Sequence, residues 1–171
     1  MKINTTFKSL AYTLLVVDMQ KGFVASQDPI TLNCVMQLIK QAMHDNAAII
    51  FIELDPDLNG PTDLRLTNLV EGYPYSVVEE KCVDKFGNDG SGDAADACGQ
   101  FGFPTNHFKV CGVNTNICVS YTVIGLATLF PPAVIEVIQE ACNTEFRPDE
   151  QWNEFEDDMA FNGYADRCVY A

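Results

Sequence analysis

The chain has 171 residues, 47% of them hydrophobic, and this size and composition favour a single globular domain spanning residues 1–171. Its 24 acidic and 10 basic residues give a formal net charge of −14, which disfavours partners such as nucleic acid or an anionic membrane. The seven cysteines include no Cys-x-x-Cys pair, so free thiols in a reducing, cytoplasmic compartment are a better interpretation than a disulfide framework or a zinc site.

The first predicted strand is Tyr12–Val17. This continuous apolar run contains β-branched residues and lies between polar segments, a pattern typical of a strand buried on both faces. Asp18 follows directly, at the carboxyl end of the strand, where ligands bind in open α/β sheets. On the residues alone, a turn-capping role for Asp18 is an equally good interpretation. No apolar run in the chain approaches the length of a membrane span.

The next elements alternate between helix and strand. Pro29–His44 carries one apolar stripe at helical spacing and predicts a helix. Ala47–Ile52 predicts a second buried strand, and Glu53–Pro61, which is rich in residues that break regular structure, predicts a loop. A weaker third strand is predicted over Tyr75–Glu79.

Two lysines, Lys81 and Lys85, follow the third strand and precede the glycine-rich segment Gly87–Asp93. That segment is interpreted as a connector or as an active-site lid, and the connector is favoured. It lacks a phosphate-binding pattern, because no strand directly precedes it and no Gly-Lys-Ser/Thr follows. A short helix over 93–100 then leads to the fourth strand, Phe108–Gly112.

The fourth strand breaks at Gly-x-Asn-Thr-Asn, and an apolar helix is predicted from Cys118 to Phe130. This arrangement puts Cys118 in the first turn of a helix, where unpaired amide N–H groups and the helix dipole favour an anion. A thiol pKa below the free value of about 8.5 is therefore expected. Composition alone favours the alternative that Cys118 is a small buried core residue.

The last elements complete an alternating pattern. Ala133–Ile138 predicts a fifth strand, and Arg167–Tyr170 a sixth. Between them, a helix is predicted after Pro148, with Trp152 among the residues of its apolar face. Strands that alternate with helices throughout predict an α/β fold, a three-layer α/β/α sandwich with a central, mostly parallel sheet of about six strands.

Three motifs, taken in order, resemble one known family. They are Leu14–Phe23 with its acidic residue, Lys81 placed five residues before Phe86, and the Gly112–Val119 stretch that reads GVNTNICV. Together the motifs resemble the isochorismatase-like cysteine hydrolases, which include nicotinamidases and N-carbamoylsarcosine amidohydrolases. The resemblance extends from about Tyr12 to about Cys142.

The resemblance implies a catalytic triad of Asp18, Lys81 and Cys118. It also implies that the peptide before Asn114 is cis, and that the backbone N–H groups of Asn114 and Cys118 form an oxyanion hole. Lys85 is a rival for the lysine position, but Lys81 is preferred because it lies nearer the strand end.

The family pattern also assigns Gln20 and Phe23 to the substrate pocket. The implied function is cysteine-dependent hydrolysis of a small non-peptide C–N bond, in an amide, carbamoyl or ureido group, through a thioester. An isochorismatase-type vinyl-ether hydrolase and a non-catalytic relative that acts as a binding partner remain alternatives. A homo-oligomer, with a dimer favoured, and a small-molecule substrate are expected on the same resemblance.

Zinc-dependent nicotinamidases of the family hold their metal with one Asp and two His soon after the second strand. The matching loop here contains carboxylates and no imidazole, and only Asp55 with Asp57 gives a weak hint of a magnesium or calcium site. The chain's histidines, His44 and His107, are predicted at the amino-terminal edge of the sheet. We therefore expect no metal and no other cofactor.

Overall fold

The structure is a computed structural model that describes residues 9–81 and 90–171. Its centre is a six-stranded sheet in the order β3-β2-β1-β4-β5-β6, and every neighbouring pair of strands is parallel. The predicted α/β fold with a parallel sheet is therefore confirmed. The strands are β1 Thr13–Val17, β2 Ala48–Glu53, β3 Ser76–Glu80, β4 His107–Val113, β5 Val134–Asn143 and β6 Cys168–Tyr170.

Helices connect the strands and cover both faces. Because crossovers between parallel strands are right-handed, the reversal of direction after β3 places the helices before and after it on opposite faces. No helix among the described residues is both long and apolar enough to cross a membrane. The helices are α1 Pro29–His44, α2 Pro56–Asn59, α3 Leu64–Thr67, α4 Ser91–Phe101, α5 Ser120–Leu129 and α6 Gln151–Phe161.

The core lies on both faces of the central strands. All five residues of β1 are buried, which explains why its sequence is continuously apolar rather than alternating. Phe51 and Phe108 from the sheet are fully buried, and so is Phe155 from α6. The predicted apolar face of α6 is thus present, with Trp152 partly buried against the same core.

The segment after β2 differs from the predicted loop, because it contains the short helices α2 and α3. Each is set by local chemistry: the Asp55 side chain accepts a hydrogen bond from Leu58 N, and the Asp63 side chain accepts one from Arg65 N. Such caps stabilise a single helical turn. One turn is too short to show apolar periodicity, so the sequence pattern did not predict these helices.

The fifth strand is longer than predicted because it continues through an irregularity. Val110 pairs with Val137, whereas Gly112 pairs with Cys142, so β5 uses five positions where β4 uses two. The pattern predicted only the regular first half, up to Ile138. Lys85 and the first part of the glycine-rich segment, interpreted above as a connector or lid, lie outside the described residues.

Candidate active site

The carboxyl edge of the sheet brings together the three residues that the motifs predict. Asp18 directly follows β1, Lys81 directly follows β3, and Cys118 lies in the turn after β4. Lys81 Nζ is 2.7 Å from Asp18 Oδ2, and both side chains are completely buried. Because β2 lies between β3 and β1, the lysine side chain spans the width of one strand to reach the carboxylate.

Asp18 leaves the strand with an unusual backbone conformation. Its φ is 50°, in the left-handed region that non-glycine residues adopt at a cost of roughly 1–3 kcal/mol. The Asp18 N–H still donates to Ile52 O at 2.9 Å, so the backbone turns just beyond the last ladder bond. This turn directs the carboxyl group along the sheet edge toward Lys81.

Cys118 is held in a tight turn before α5 begins. Residues Thr115–Val119 form a π-helical turn, in which the amides of Ile117 and Val119 both donate to Asn114 O, at 3.1 and 3.0 Å. The Asn114 backbone N–H in turn donates toward the Cys118 sulfur. The peptide between Val113 and Asn114 is cis, as the resemblance implied.

The thiol of Cys118 differs from the sequence expectation. Burial and the Asp18 carboxylate raise its pKa to about 11, and they outweigh the opposing effects of the Lys81 ammonium and the Asn114 N–H. The predicted pKa below about 8.5 is therefore wrong for this site. Cys118 is only 7% exposed, so the lost hydration of the thiolate exceeds the stabilisation from the helix start.

The carboxyl group of Asp18 is a suitable proton acceptor. Burial raises its pKa most, while Lys81 and the Cys118 thiol lower it. Asp18 Oδ1 is buried, and no atom of the described residues lies within hydrogen-bonding geometry of it. The site thus pairs a neutral thiol with a carboxylate whose second oxygen remains available to accept a proton.

Gln20 and Phe23, predicted to line the pocket, have different surroundings. Gln20 is fully buried, and its amide is engaged by backbone: Oε1 accepts from Leu54 N at 2.7 Å, while Nε2 donates to Leu54 O at 3.1 Å and to Gly60 O at 2.5 Å. This amide holds the loop after β2 against the loop after β1. Phe23 is half-buried against the core. Contact of either side chain with a substrate stays a prediction.

Two glycines permit close approaches at the site. A Cβ on Gly112, whose φ is 123°, would lie 2.0 Å from Val17 O. A Cβ on Gly90 would lie 2.5 Å from Ile52 Cγ2 and 3.3 Å from Lys81 Cγ. Gly112 belongs to the motif that predicts the site, whereas nothing in the sequence pattern distinguishes Gly90.

The loop after β5 supports the turn that carries the cysteine, and sequence reasoning missed it. Thr144 Oγ1 donates to Asn116 Oδ1 at 2.7 Å, and Glu145 N donates to Asn114 Oδ1 at 3.0 Å. The Glu145 carboxylate also accepts from Val24 N at 2.7 Å. These bonds connect the loops after β1, β4 and β5. Because the predicted fifth strand ended at Ile138, no strand-end signal marked Thr144 or Glu145 in the sequence.

Glu53, the last residue of β2, was also missed as a site residue. It is 7% exposed, and its Oε1 accepts from Thr62 N at 2.6 Å. Its carbonyl oxygen accepts from Lys81 N at 2.8 Å. The signal available in the sequence was an acidic residue at the carboxyl end of a buried strand, as for Asp18.

The donor set does not fit an imidazole metal site. No group of three or more potential metal ligands occurs within residues 9–81 and 90–171. Asp63 is engaged by Arg65, with Oδ2 at 2.6 Å from Nη2. His107 begins β4 and contacts Glu136, and His44 ends α1, so both histidines lie at the opposite edge of the sheet, as predicted.

Comparisons with known proteins identify the family and the fold. A family model described as Isochorismatase domain matches residues 12–129. A search of curated protein sequences gives no significant match. Among solved structures, a nicotinamidase from Staphylococcus aureus is 18% identical, with a TM-score of 0.70 over 93% of this chain and 96% of the other.

Two further structures share the fold. YcaC from Pseudomonas aeruginosa, solved with hexane-2,5-diol and covalent acrylamide, is 21% identical, with a TM-score of 0.71 over 97% of this chain and 79% of the other. The YcaC gene product of Escherichia coli, described as an octameric hydrolase of unknown specificity, is 20% identical, with a TM-score of 0.67 over 93% and 74%. At these identities the similarity establishes the fold.

Proposed function

Since the chain belongs to the isochorismatase domain family of hydrolases, we propose that it is a cysteine-dependent hydrolase of a small non-peptide C–N bond. The bond belongs to an amide, carbamoyl or ureido group. One observation carries the proposal: the buried contact of Lys81 with Asp18, beside the Cys118 thiol, at the carboxyl edge of the sheet. A nucleophile, a base and a fixed positive charge are the groups that acyl transfer through a thioester requires.

The proposed reaction begins with proton transfer from Cys118 to Asp18. The thiolate attacks the substrate carbonyl carbon, and the N–H groups of Asn114 and Cys118 stabilise the oxyanion. The protonated Asp18 then returns its proton to the leaving nitrogen as the C–N bond breaks, which leaves a thioester on Cys118. The Lys81 ammonium stabilises the thiolate and the carboxylate by charge.

In the second half of the cycle, Asp18 removes a proton from water, and the resulting hydroxide attacks the thioester carbonyl. The C–S bond breaks, the acid product leaves, and the proton held by Asp18 restores the thiol of Cys118. The carboxyl group thus acts as base and acid in turn. The raised pKa of Asp18, caused mainly by burial, supports this double role.

The two alternatives make different demands on the site. A vinyl-ether hydrolase works through the carboxylate and does not require the cysteine, so Cys118 beside Asp18 supports the amide reaction. A non-catalytic relative would be expected to have a broken triad, whereas all three groups are present here. Both alternatives are tested by the variants described below.

We also propose that residues 1–171 form one hydrolase domain in the cytoplasm, where the six free cysteines of the described residues would stay reduced.

We further propose that the protein is a homo-oligomer, with a dimer favoured. One structural neighbour is described as octameric, which supports assembly without fixing its order here. Light scattering coupled to size exclusion tests this point, and a monomeric mass would contradict it.

The function is tested by measuring ammonia release from a panel of small amides, carbamoyl compounds and ureas. On any substrate found, Asp18→Asn and Cys118→Ala should each abolish most activity, and the double variant should be little worse than either alone. Cys34→Ala, which changes a half-buried cysteine on α1, is the matched control and should retain activity. Hydrolysis of isochorismate that survives Cys118→Ala would instead support the vinyl-ether reaction.

A further inference from the structure

Glu53 lies between the two charged residues of the site. It ends β2, the strand that separates β1 from β3, and Lys81 N donates to its carbonyl oxygen. On the other side, Asp18 N donates to Ile52 O, one residue before Glu53. At this edge, Asp18 therefore follows the end of β1, Glu53 ends β2, and Lys81 follows the end of β3.

The environment of Glu53 is unusual for a carboxylate. Its side chain is buried, and Glu53 Oε1 accepts a hydrogen bond from the backbone N–H of Thr62, which carries no charge. Asp63, beside Thr62, is already engaged by Arg65. Val17 pairs with Ile52, so Asp18 and Glu53 are the next positions in register on neighbouring strands. The Glu53 carboxylate raises the pKa of Asp18, whereas Lys81 and the Cys118 thiol lower it.

We propose that Glu53 is a positioning residue that makes Asp18 a stronger base toward the Cys118 thiol. This inference rests on the proposed function, because it assigns Glu53 a part in the same proton transfer. Its hydrogen bond to Thr62 N–H fixes the carboxylate at the end of β2, where its negative charge disfavours a second negative charge on Asp18.

The physical reason follows from the two groups that exchange a proton. Burial and Asp18 raise the pKa of the Cys118 thiol to about 11, so an ordinary carboxylate would be a poor acceptor. Glu53 adds to the effect of burial in raising the pKa of Asp18. The difference between the pKa of the Cys118 thiol and that of the Asp18 carboxyl group is thereby reduced, so proton transfer costs less free energy.

The test is Glu53→Gln, which removes the charge and keeps an oxygen for the Thr62 N–H. On a substrate from the amide screen, kcat should fall by about tenfold, because a weaker base transfers the proton more slowly. The acidic limb of the kcat/KM profile should move to lower pH by roughly one unit, because Asp18 loses a neighbouring negative charge. Glu80→Gln changes the exposed residue that pairs with Glu53 on β3, and this control should leave both quantities unchanged.

A second measurement needs no substrate. Alkylation of Cys118 by iodoacetamide, followed by peptide mass spectrometry, reports its thiolate fraction as a function of pH. Glu53→Gln should move this profile to lower pH by less than it moves the acidic limb, because the main influences on the thiol are burial, Asp18, Lys81 and the Asn114 N–H rather than Glu53. If the wild-type protein hydrolyses no amide but the alkylation profile shifts, the proposed reaction is overturned while the electrostatic coupling stands.

Glu53→Asp distinguishes the effect of the charge from that of the hydrogen bond, because it keeps the carboxylate and weakens the hydrogen bond from Thr62 N. It should lower the free energy of unfolding while leaving the acidic limb near its wild-type position. Wild-type pH profiles for both activity and alkylation in Glu53→Gln would show that Glu53 is only a brace. If the acidic limb of the kcat/KM profile moved equally in Glu53→Asp and Glu53→Gln, the inference would also be overturned.

Discussion

Cys118 meets two opposing influences, and their balance decides how the site is prepared for reaction. The Asn114 N–H and the Lys81 ammonium favour the thiolate, whereas burial and the Asp18 carboxylate favour the thiol. The second pair is stronger, so the resting thiol is protonated. In the proposed reaction, activation of the thiol must then come from a neighbouring base, and we propose that this base is Asp18.

This balance predicts opposite effects of two substitutions on alkylation of Cys118. Asp18→Asn removes a negative charge, lowers the pKa of the thiol and should speed its alkylation at pH 8 by about tenfold. Lys81→Met removes the positive charge, raises the pKa further and should slow alkylation. Turnover of an amide substrate should nevertheless fall by about 10³-fold in Asp18→Asn, because the base is lost.

The measurement is iodoacetamide labelling at a series of pH values, with circular dichroism to verify folding. Cys98, buried beside Pro104 O and away from the site, is an internal control whose labelling should stay slow in every variant. Slower labelling of Cys118 in Asp18→Asn would contradict the electrostatic assignment.

A third expectation at the residue scale concerns metals. Asp55 caps α2, Asp63 is held by Arg65, and both histidines lie at the far edge of the sheet. We therefore expect kcat on a substrate from the amide screen to be unchanged after exhaustive chelation. Loss of activity on chelation, with recovery on adding zinc, would show that metal ligands outside this donor set serve the reaction.

Sequence motifs predicted Asp18, Lys81 and Cys118 because each stands next to a recognisable strand end. Glu53 and Gly90 escaped prediction for a physical reason. Glu53 had the same kind of signal as Asp18, an acidic residue at a strand end, but its effect on Asp18 arises between strands and no motif covers it. Gly90 matters through its close approach to the Lys81 side chain, which leaves no local pattern.

At the scale of elements, the junction of β4 with the following π-helical turn depends on one close approach. Gly112 pairs with Val17 on β1, directly before Asp18, and its φ of 123° belongs to the region that favours glycine. The strand can therefore press against β1 while its continuation turns toward Cys118. This contact holds the strand that leads to Cys118 against the strand that leads to Asp18.

Gly112→Ala should accordingly destabilise the fold and displace the site. A Cβ 2.0 Å from Val17 O, added to the strained φ, predicts a loss of roughly 3 kcal/mol or more in the free energy of unfolding. Gly163→Ala is the matched control, since Gly163 has a φ of 76° and open space around it; its loss should be about 1 kcal/mol. Urea unfolding measures both, and equal losses would mean that the contact with β1 is unimportant.

The elements that the sequence predicted well have strong local signals. The bounds of α1 were predicted correctly, because Asp28 caps a helix that begins at Pro29 and carries an apolar stripe. The second half of β5 and the turns α2 and α3 were missed. Register shifts and single capped turns depend on what the neighbouring chain offers, not on periodicity.

At the scale of the whole molecule, the site and the surface have the same sign of charge. The chain carries a net charge of −14, and the described site has two buried carboxylates, Asp18 and Glu53, for the one ammonium of Lys81. An anionic substrate would be repelled during approach and again on burial. If the proposed function holds, we therefore predict a preference for uncharged amides and ureas over anionic ones.

The shared negative charge predicts a preference for neutral substrates that salt should partly remove. Succinamide and succinamate have nearly the same shape and differ by one carboxylate, so their kcat/KM values isolate the effect of charge. At low salt the neutral amide should be favoured by at least about tenfold. Raising the ionic strength toward 0.5 M shortens the Debye length below about 5 Å, which should increase kcat/KM for succinamate and leave succinamide unchanged. Because buried carboxylates are screened little, a residual preference for the neutral amide should persist, and a preference for succinamate at low salt would contradict the assignment of charges at the site.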